Sequence, residues 1–136
     1  MNSTVKLAQT VVKAVLLALL VATIYAGTLG HEFSYDDRGI ILRDGYLGEL
    51  SWSELAARSY WGEQGDGLYR PLTTLSYAIN YAIGGKTASL YHGANIALHA
   101  LNVLLLLLLC QQCWGTERAL FTALIFAANP VLSEAV

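Results

Sequence analysis

Charge is scarce in this chain of 136 residues. Only 13% of the residues are charged, 55% are hydrophobic and the mean hydropathy is +0.47, which excludes an ordinary soluble domain and favours a membrane protein. The net charge of -2 gives no basic excess, so no nucleic-acid partner is expected. Two cysteines are too few for a disulfide scaffold, and two prolines argue against a disordered linker.

Two short segments resemble familiar sites but lack their context. The segment GGKT ends like a phosphate-binding loop, but the first glycine of that motif would fall at Asn80. Cys110 and Cys113 have the spacing of a redox pair, yet no βαβ pattern surrounds them. Neither segment is therefore interpreted as a site.

Long apolar runs divide the chain. The first predicted transmembrane helix covers residues 14–30, with Lys13 snorkelling at its start. A cleavable signal peptide is the alternative, although no A-x-A cleavage site follows the run. The second predicted span covers residues 90–110. The third, residues 119–136, is incomplete, so we expect the chain to be an N-terminal fragment of a longer protein.

The segments between these spans complete the predicted topology. They are a cytoplasmic N-terminus over 1–13, a first extracytoplasmic loop over 31–89 and a cytoplasmic turn over 111–118. Basic residues support this orientation only weakly, because five of them fall in the outer loop. In this topology the first loop, the start of the second span and Glu134 lie on one side of the membrane.

The outer loop carries two signals for short interfacial helices. In SWSELAARSYWG, Ser51 or Ser53 suits an N-cap, and Glu54 falls in the first turn. Its apolar residues fall near one face, which predicts a helix lying flat in the interface; they are Trp52, Leu55, Ala56 and Tyr60. In PLTTLSYAINYAIGG, Pro71 suits a first turn and two glycines end the helix.

Asp36 and Asp37 lie just after the first span, in HEFSYDDRGIILRDGY. One interpretation is a pair of solvated carboxylates where the chain leaves the bilayer. Another is a general base, since a carboxylate beside lipid and beside a second carboxylate accepts a proton more readily than one in water. The pair also has the oxygen chemistry for a divalent cation.

Polar side chains form a stripe at the start of the second span. His92, Asn95, His99 and Asn102 follow one another at spacings of three, four and three, which places them on one helix face. We expect His99 and Asn102 to hydrogen-bond between helices. His92 and Asn95 lie nearer the surface, where a ligand can reach them. The histidine spacing is not that of a zinc helix, so no metal site is predicted.

Two further charged residues are candidates for binding. Arg70, in YRPL, has the forked guanidinium suited to phosphate, although a surface salt bridge explains it equally well. Glu134 follows Pro130 at the end of the third segment. It is either a second acid of a site or a solvated helix end.

Five motifs in a fixed order resemble a known family. FSYDDRGIILRD, W…YWG, YRPLTTLSYAINY, YHGANIALHALNVLLL and ALIFAANPVLSEAV are similar to the N-terminal region of the TMTC-type membrane O-mannosyltransferases. The resemblance covers roughly residues 31–136. That family includes bacterial proteins with tetratricopeptide repeats after the membrane domain.

The resemblance implies an all-α integral membrane protein of the GT-C type, with about three transmembrane helices in this part. It implies inverting transfer of a sugar, mannose above all, from a polyprenyl- or dolichyl-phosphate carrier to a protein hydroxyl or another extracytoplasmic acceptor. Asp36, or less favourably Asp37, matches the catalytic base. Arg70 falls where phosphate contact is expected, and His92 and Asn95 match the family's YH..N pattern. No cofactor is implied, and a divalent cation is not supported.

The chain departs from the family at one position. Eukaryotic members read HPV..EAV where this chain has NPVLSEAV, so Asn129 replaces a histidine. Asparagine keeps hydrogen bonding but does not titrate near neutral pH, which puts a proton-handling role there in doubt.

The resemblance also implies where the protein acts and whether this chain is active alone. The active face is expected on the periplasmic side of a bacterial inner membrane, or in the lumen of the endoplasmic reticulum. The 136 residues alone are expected to be inactive, because the GT-C fold needs more helices. A non-catalytic membrane scaffold and an inactive truncated product are the alternatives.

Overall fold

The computed structural model describes residues 3–43, 46–61 and 67–129. Within these residues the chain is α-helical and contains no strand. In chain order its helices are α1 (Ser3–Tyr25), α2 (Trp52–Ala57), α3 (Pro71–Gly84), α4 (Ala88–Trp114) and α5 (Thr116–Ala127). Short 3-10 turns cover Ala26–Gly30 and Tyr46–Gly48, and a π-helical turn covers Arg38–Arg43.

Among the described residues, two stretches are long and apolar enough to cross a bilayer. They are Leu7–Gly30, with 24 residues, and Ala88–Trp114, with 27 residues. The 12-residue α5 is too short to cross alone, and the predicted third span continues beyond the described residues. The all-α membrane fold predicted from the sequence is confirmed.

Both long helices extend beyond the apolar runs that predicted them. α1 begins at Ser3 rather than near residue 14, and α4 continues to Trp114. The turn between α4 and α5 therefore centres on Gly115, whose φ of +82° is one that glycine adopts without steric cost.

The structure divides into two compact units. The helical unit comprises Met1–Leu29 and His92–Val136, and the loop unit comprises Gly30–Tyr91.

The helical unit packs α1, the main part of α4 and α5 around a narrow apolar core. Ala119, Ala123 and Ala127 recur at every fourth position of α5 and are fully buried, which allows close helix packing. Their neighbours in this core are Leu17, Val21 and Tyr25 of α1 and Val103, Leu107 and Cys110 of α4. Most other leucines and valines of α1 face outward, as expected for a helix surrounded by lipid or by other helices.

His99 is a polar contact between the helices of this unit. Its ring is buried, lies edge-on to the Tyr25 ring at 5.2 Å and has Nε2 3.4 Å from the Ala127 carbonyl oxygen. The predicted interhelical role of His99 is therefore confirmed. Asn102 is exposed and makes no such contact within the described part of the chain, so its interhelical role stays a prediction.

The loop unit has a separate core. Its buried residues come from every segment of the unit and are Phe33, Ile40, Ile41, Tyr46, Leu47, Leu55, Tyr60, Ala78 and Tyr91. The turn at Tyr46–Gly48 packs closely on α3, because a Cβ at Gly48 would lie 2.7 Å from Cε1 of Tyr81. Lys86 Nζ donates to the Leu42 carbonyl oxygen at 2.9 Å and links the two ends of the unit.

The sequence signals for α2 and α3 are confirmed. Ser51 caps α2 in a reciprocal capping box with Glu54, and the hydrogen bonds from the Ser51 side chain and backbone lower the pKa of that carboxyl. α3 begins at Pro71 and ends before Gly85, whose φ is +61°.

The predicted flat apolar face of α2 is wrong. Leu55 is buried in the core of the loop unit, whereas Trp52 is exposed, so the two do not share one interfacial face. Tyr60 is also buried, but it lies beyond the end of α2 at Ala57. Burial against α3 and the 46–48 turn decides the orientation of this short helix.

Candidate active site

The adjacent aspartates lie on a strained turn of the loop unit. The turn closes where the Asp37 amide donates to the Ser34 carbonyl oxygen at 3.1 Å. Within it Tyr35 has a φ of +43°, a left-handed conformation that is costly for a bulky side chain. Such strained positions cluster at functional sites, as do π-helical turns, and Arg38–Arg43 follows immediately.

The π-helical turn divides its side chains between the core and the surface. Ile40 and Ile41 are buried in the loop unit. Arg38, Gly39 and Leu42 line a surface groove instead. The two buried isoleucines thus hold the backbone of the turn, while Arg38, Gly39 and Leu42 remain accessible from the groove.

The groove beside Asp36 is the candidate site. It has a volume of about 470 Å³, within the range of small-molecule sites, and is lined by Tyr35, Asp36, Arg38, Gly39, Leu42 and Trp61. Asp36 is exposed there and forms no hydrogen bond or ion pair with any described residue. Because none of the described residues occupies this carboxylate, it is available to a ligand hydroxyl.

Asp37 has a different environment. It is half-buried, and one of its carboxylate oxygens accepts a hydrogen bond from the Tyr77 hydroxyl at 3.1 Å. Burial raises the pKa of Tyr77 well above its ordinary value, and a hydrogen bond with Tyr60 and the charge of Asp37 raise it further. Tyr77 therefore remains protonated and keeps donating to Asp37.

Arg70 lies outside the groove. Its guanidinium carbon is 4.9 Å from the centre of the Tyr60 ring, and the side chain is exposed. Its carbonyl oxygen accepts from the amide and the hydroxyl of Thr74 at the start of α3. Arg70 therefore contacts Tyr60 and does not line the groove of Asp36.

The other predicted site residues do not belong to the loop unit. His92 and Asn95 lie in the first part of α4, in the helical unit, and both are half-buried. Nε2 of His92 is buried and has no hydrogen-bond partner within the described ranges. The backbone carbonyl oxygen of Asn129 accepts a hydrogen bond from the Tyr25 hydroxyl at 3.4 Å. Glu134 lies outside the described residues.

Sequence reasoning predicted Asp36 but none of the other groove-lining residues, and it did not predict the contact of Tyr77 with Asp37. Arg38 and Trp61 line the groove, and Tyr77 bonds Asp37. Arg38 follows the aspartates directly, and the density of aromatic residues in the loop was visible in the sequence. Their roles depend on contacts that no local pattern specifies.

The raised pKa of Tyr77 predicts a loss of stability in alkali. The folded state holds the phenol proton more tightly than the unfolded chain, so the stabilisation is complete below about pH 10 and is lost as pH rises above it. Between about pH 8 and about pH 11, wild type should lose more stability than Tyr77→Phe. The difference is at most about 1.4 kcal/mol per pH unit and smaller for a partly exposed ring.

Thermal unfolding in detergent across this pH range measures the effect. Tyr69→Phe is the matched control, because Tyr69 is an exposed tyrosine of the same unit. It should follow wild type at every pH. Parallel curves for wild type and Tyr77→Phe would show that the Tyr77 proton is not held by the fold.

The chain resembles curated proteins over most of its length. Protein O-mannosyl-transferase tmtc2 of Xenopus laevis is 36% identical in an alignment of 120 residues that covers 83% of this chain and 14% of the relative. Protein O-mannosyl-transferase Tmtc1 of Drosophila melanogaster is 34% identical in an alignment of 124 residues that covers 86% of this chain and 14% of the relative. Protein O-mannosyl-transferase TMTC1 of Homo sapiens is 32% identical in an alignment of 133 residues that covers 90% of this chain and 15% of the relative.

The chain is a relative of the TMTC-type protein O-mannosyl-transferases. It spans about a seventh of the length of these relatives, since the matched part is 14% of the first. A match over 83% of the chain contains the residues from Asp36 to Asn95 wherever its ends lie. No protein-family model matches the chain, and no solved structure matches it.

Proposed function

We propose that this chain is part of a GT-C glycosyltransferase that moves mannose from a polyprenyl- or dolichyl-phosphate carrier to a hydroxyl of an extracytoplasmic protein. One observation carries the proposal. In a relative of protein O-mannosyl-transferases, the exposed Asp36 carboxylate lines a groove that can hold a small ligand and bonds none of the described residues. A base in that position suits the deprotonation of an acceptor hydroxyl.

The proposed reaction is a single inverting displacement. The acceptor hydroxyl gives its proton to the Asp36 carboxylate as its oxygen bonds to the anomeric carbon of the donor. The bond between that carbon and the phosphate oxygen breaks, and its electron pair leaves with the lipid phosphate. The donor is anchored in the bilayer by its lipid chain, and the base follows an apolar helix long enough to cross a bilayer, so both reactants meet at a membrane surface in this proposal.

The neighbouring residues have supporting roles in this proposal. Asp37, fixed by Tyr77, shapes the site next to the base rather than acting as the base itself. Arg70, His92, Asn95 and Glu134 stay predictions as substrate-binding residues. The active face is the periplasmic or luminal side, where the acceptor protein is met.

Transfer by the full-length protein tests this function. The purified protein in detergent is given mannosyl polyprenyl phosphate or a nucleotide-linked mannose, each with an acceptor peptide containing serine and threonine. Product should form from the lipid-linked donor alone and carry the inverted anomeric configuration. If neither donor gives product although the protein is folded, the membrane scaffold is the better interpretation.

A further inference from the structure

The turn between α4 and α5 carries a second groove, in the helical unit. It has a volume of about 550 Å³ and is lined by Trp114, Glu117, Arg118, Phe121 and Thr122. Trp114 is the last residue of α4, and the other four lie on α5. Glu117 and Phe121 are four residues apart, as are Arg118 and Thr122, so these four share one face of the helix. We propose that this groove binds a membrane phospholipid whose head carries a phosphate and a primary ammonium group.

The two faces of α5 differ in the size of their side chains. The face packed in the helical unit carries three buried alanines, and small residues are what membrane helices present to one another. The other face carries large apolar side chains that are exposed, namely Phe121, Leu124 and Ile125. Bulky apolar side chains of this kind suit contact with lipid acyl chains, whereas close packing of another helix favours small ones. The side chains thus favour a lipid as the occupant.

Two opposite charges lie at the start of this outer face. Glu117 and Arg118 are both exposed, and neither side chain bonds any of the described residues. Consecutive residues of a helix do not face each other, so the two side chains are not placed to pair with one another. The Thr122 hydroxyl already donates to the Arg118 carbonyl oxygen at 2.9 Å. The groove therefore offers a ligand one guanidinium and one carboxylate.

This pair of charges selects the lipid head. The forked guanidinium of Arg118 suits a phosphate. The Glu117 carboxylate accepts hydrogen bonds from a primary ammonium, whereas a quaternary choline has no N–H to donate. An anionic head without an amine would be repelled by Glu117. The exposed indole of Trp114 adds an amphipathic ring of the kind that lies at the depth of lipid heads. Phosphatidylethanolamine meets all of these groups.

Native mass spectrometry of the full-length protein tests this inference. The probes are phosphatidylethanolamine, phosphatidylcholine and phosphatidylglycerol with identical acyl chains. Wild type should bind the ethanolamine lipid about fivefold more tightly than either of the others, the effect of one exposed charged contact. Arg118→Gln should weaken the ethanolamine and choline lipids alike, by about fivefold. Glu117→Gln should abolish the preference for ethanolamine over choline and strengthen binding of the glycerol lipid, a gain that damage to the fold would not produce.

Matched variants control for the loss of a charge elsewhere. Glu49→Gln removes an exposed acid of the loop unit, and Arg70→Gln removes an exposed cation of the same unit. Neither residue lines the groove at Trp114, so each variant should bind all three lipids within about twofold of wild type. Arg118→Lys keeps the charge but loses the fork, and it should lie between wild type and Arg118→Gln.

The inference does not depend on the proposed transfer reaction, because the binding assay requires no turnover. Equal affinity of wild type for the ethanolamine and choline lipids would overturn it, as would tightest binding of the glycerol lipid. Wild-type affinities in both Glu117→Gln and Arg118→Gln would also overturn it, since the lipid would then bind elsewhere on the protein. Loss of the ethanolamine preference in Glu117→Gln, together with weaker binding to Arg118→Gln, would support it.

Discussion

Replacing Asp36 by asparagine is expected to slow mannosyl transfer by the full-length protein about 10²–10⁴-fold, which is the usual contribution of a positioned general base. Asparagine keeps the size and shape of the side chain but does not accept a proton at neutral pH. Since Asp36 is exposed and bonds no described residue, folding does not depend on its charge. The loss should therefore appear in kcat, with an unchanged thermal unfolding curve.

One exposed acid, Glu32, is the matched control for this variant. The adjacent Asp37 is a second comparison, which tests which of the two aspartates is the base. Glu32→Gln removes an exposed carboxylate four residues away that does not line the groove, and its transfer rate should stay within about twofold of wild type. Asp37→Asn can still accept from Tyr77 through its amide oxygen, so about a tenfold loss is expected from altered positioning. A larger loss for Asp37→Asn than for Asp36→Asn would reverse the two roles and contradict the assignment.

The difference between these two adjacent aspartates was not readable from the sequence. A DD pair places two carboxylates side by side, and the family resemblance selects between them only by position. The structure separates them through contacts that are distant in sequence. Tyr77, forty positions after Asp37, donates a hydrogen bond to the Asp37 carboxylate, while Asp36, which follows Tyr35 with its positive φ, lines the groove.

Local signals were sufficient for the short helices. Ser51 with Glu54, and Pro71 with Gly85, define α2 and α3 through capping and backbone geometry that need only neighbouring residues. Apolar runs likewise identified both long helices, because a bilayer-spanning helix is defined by length and composition. The start of α1 at Ser3 was missed, since a polar segment carries no apolar periodicity to mark its helical structure.

The π-helical turn was beyond sequence reasoning for a related reason. RGIILR has two adjacent isoleucines, and a short apolar pair fits a strand, a helix or a turn equally well. Ile40 and Ile41 are both buried in the core of the loop unit. Arg38 and Leu42, on the same turn, therefore line the groove instead. The geometry of the groove is thus set by packing rather than by propensity.

Truncating Ile41 should consequently damage both stability and the site. Ile41 is only 1% exposed in the core of the loop unit, so Ile41→Ala is expected to lower the local free energy of unfolding by about 2–5 kcal/mol. The π-helical turn carries Arg38, Gly39 and Leu42, and its loosening moves three of the groove-lining residues together. Mannosyl transfer by the full-length protein should fall with stability.

Hydrogen exchange of backbone amides in the full-length protein measures this effect, because exchange reports unfolding of one region within a larger fold. Protection should fall in the loop unit and remain in the middle of α4. Ile83→Ala is the matched control, since Ile83 is 71% exposed on α3 and its truncation should change the local free energy by at most about 0.5 kcal/mol. Ile41→Val keeps most of the side-chain volume and should cost only about 0.5–1.5 kcal/mol. Equal protection in Ile41→Ala and wild type would mean that the turn is held by other contacts, and the groove would then owe its shape to the strained turn at Tyr35 rather than to the core.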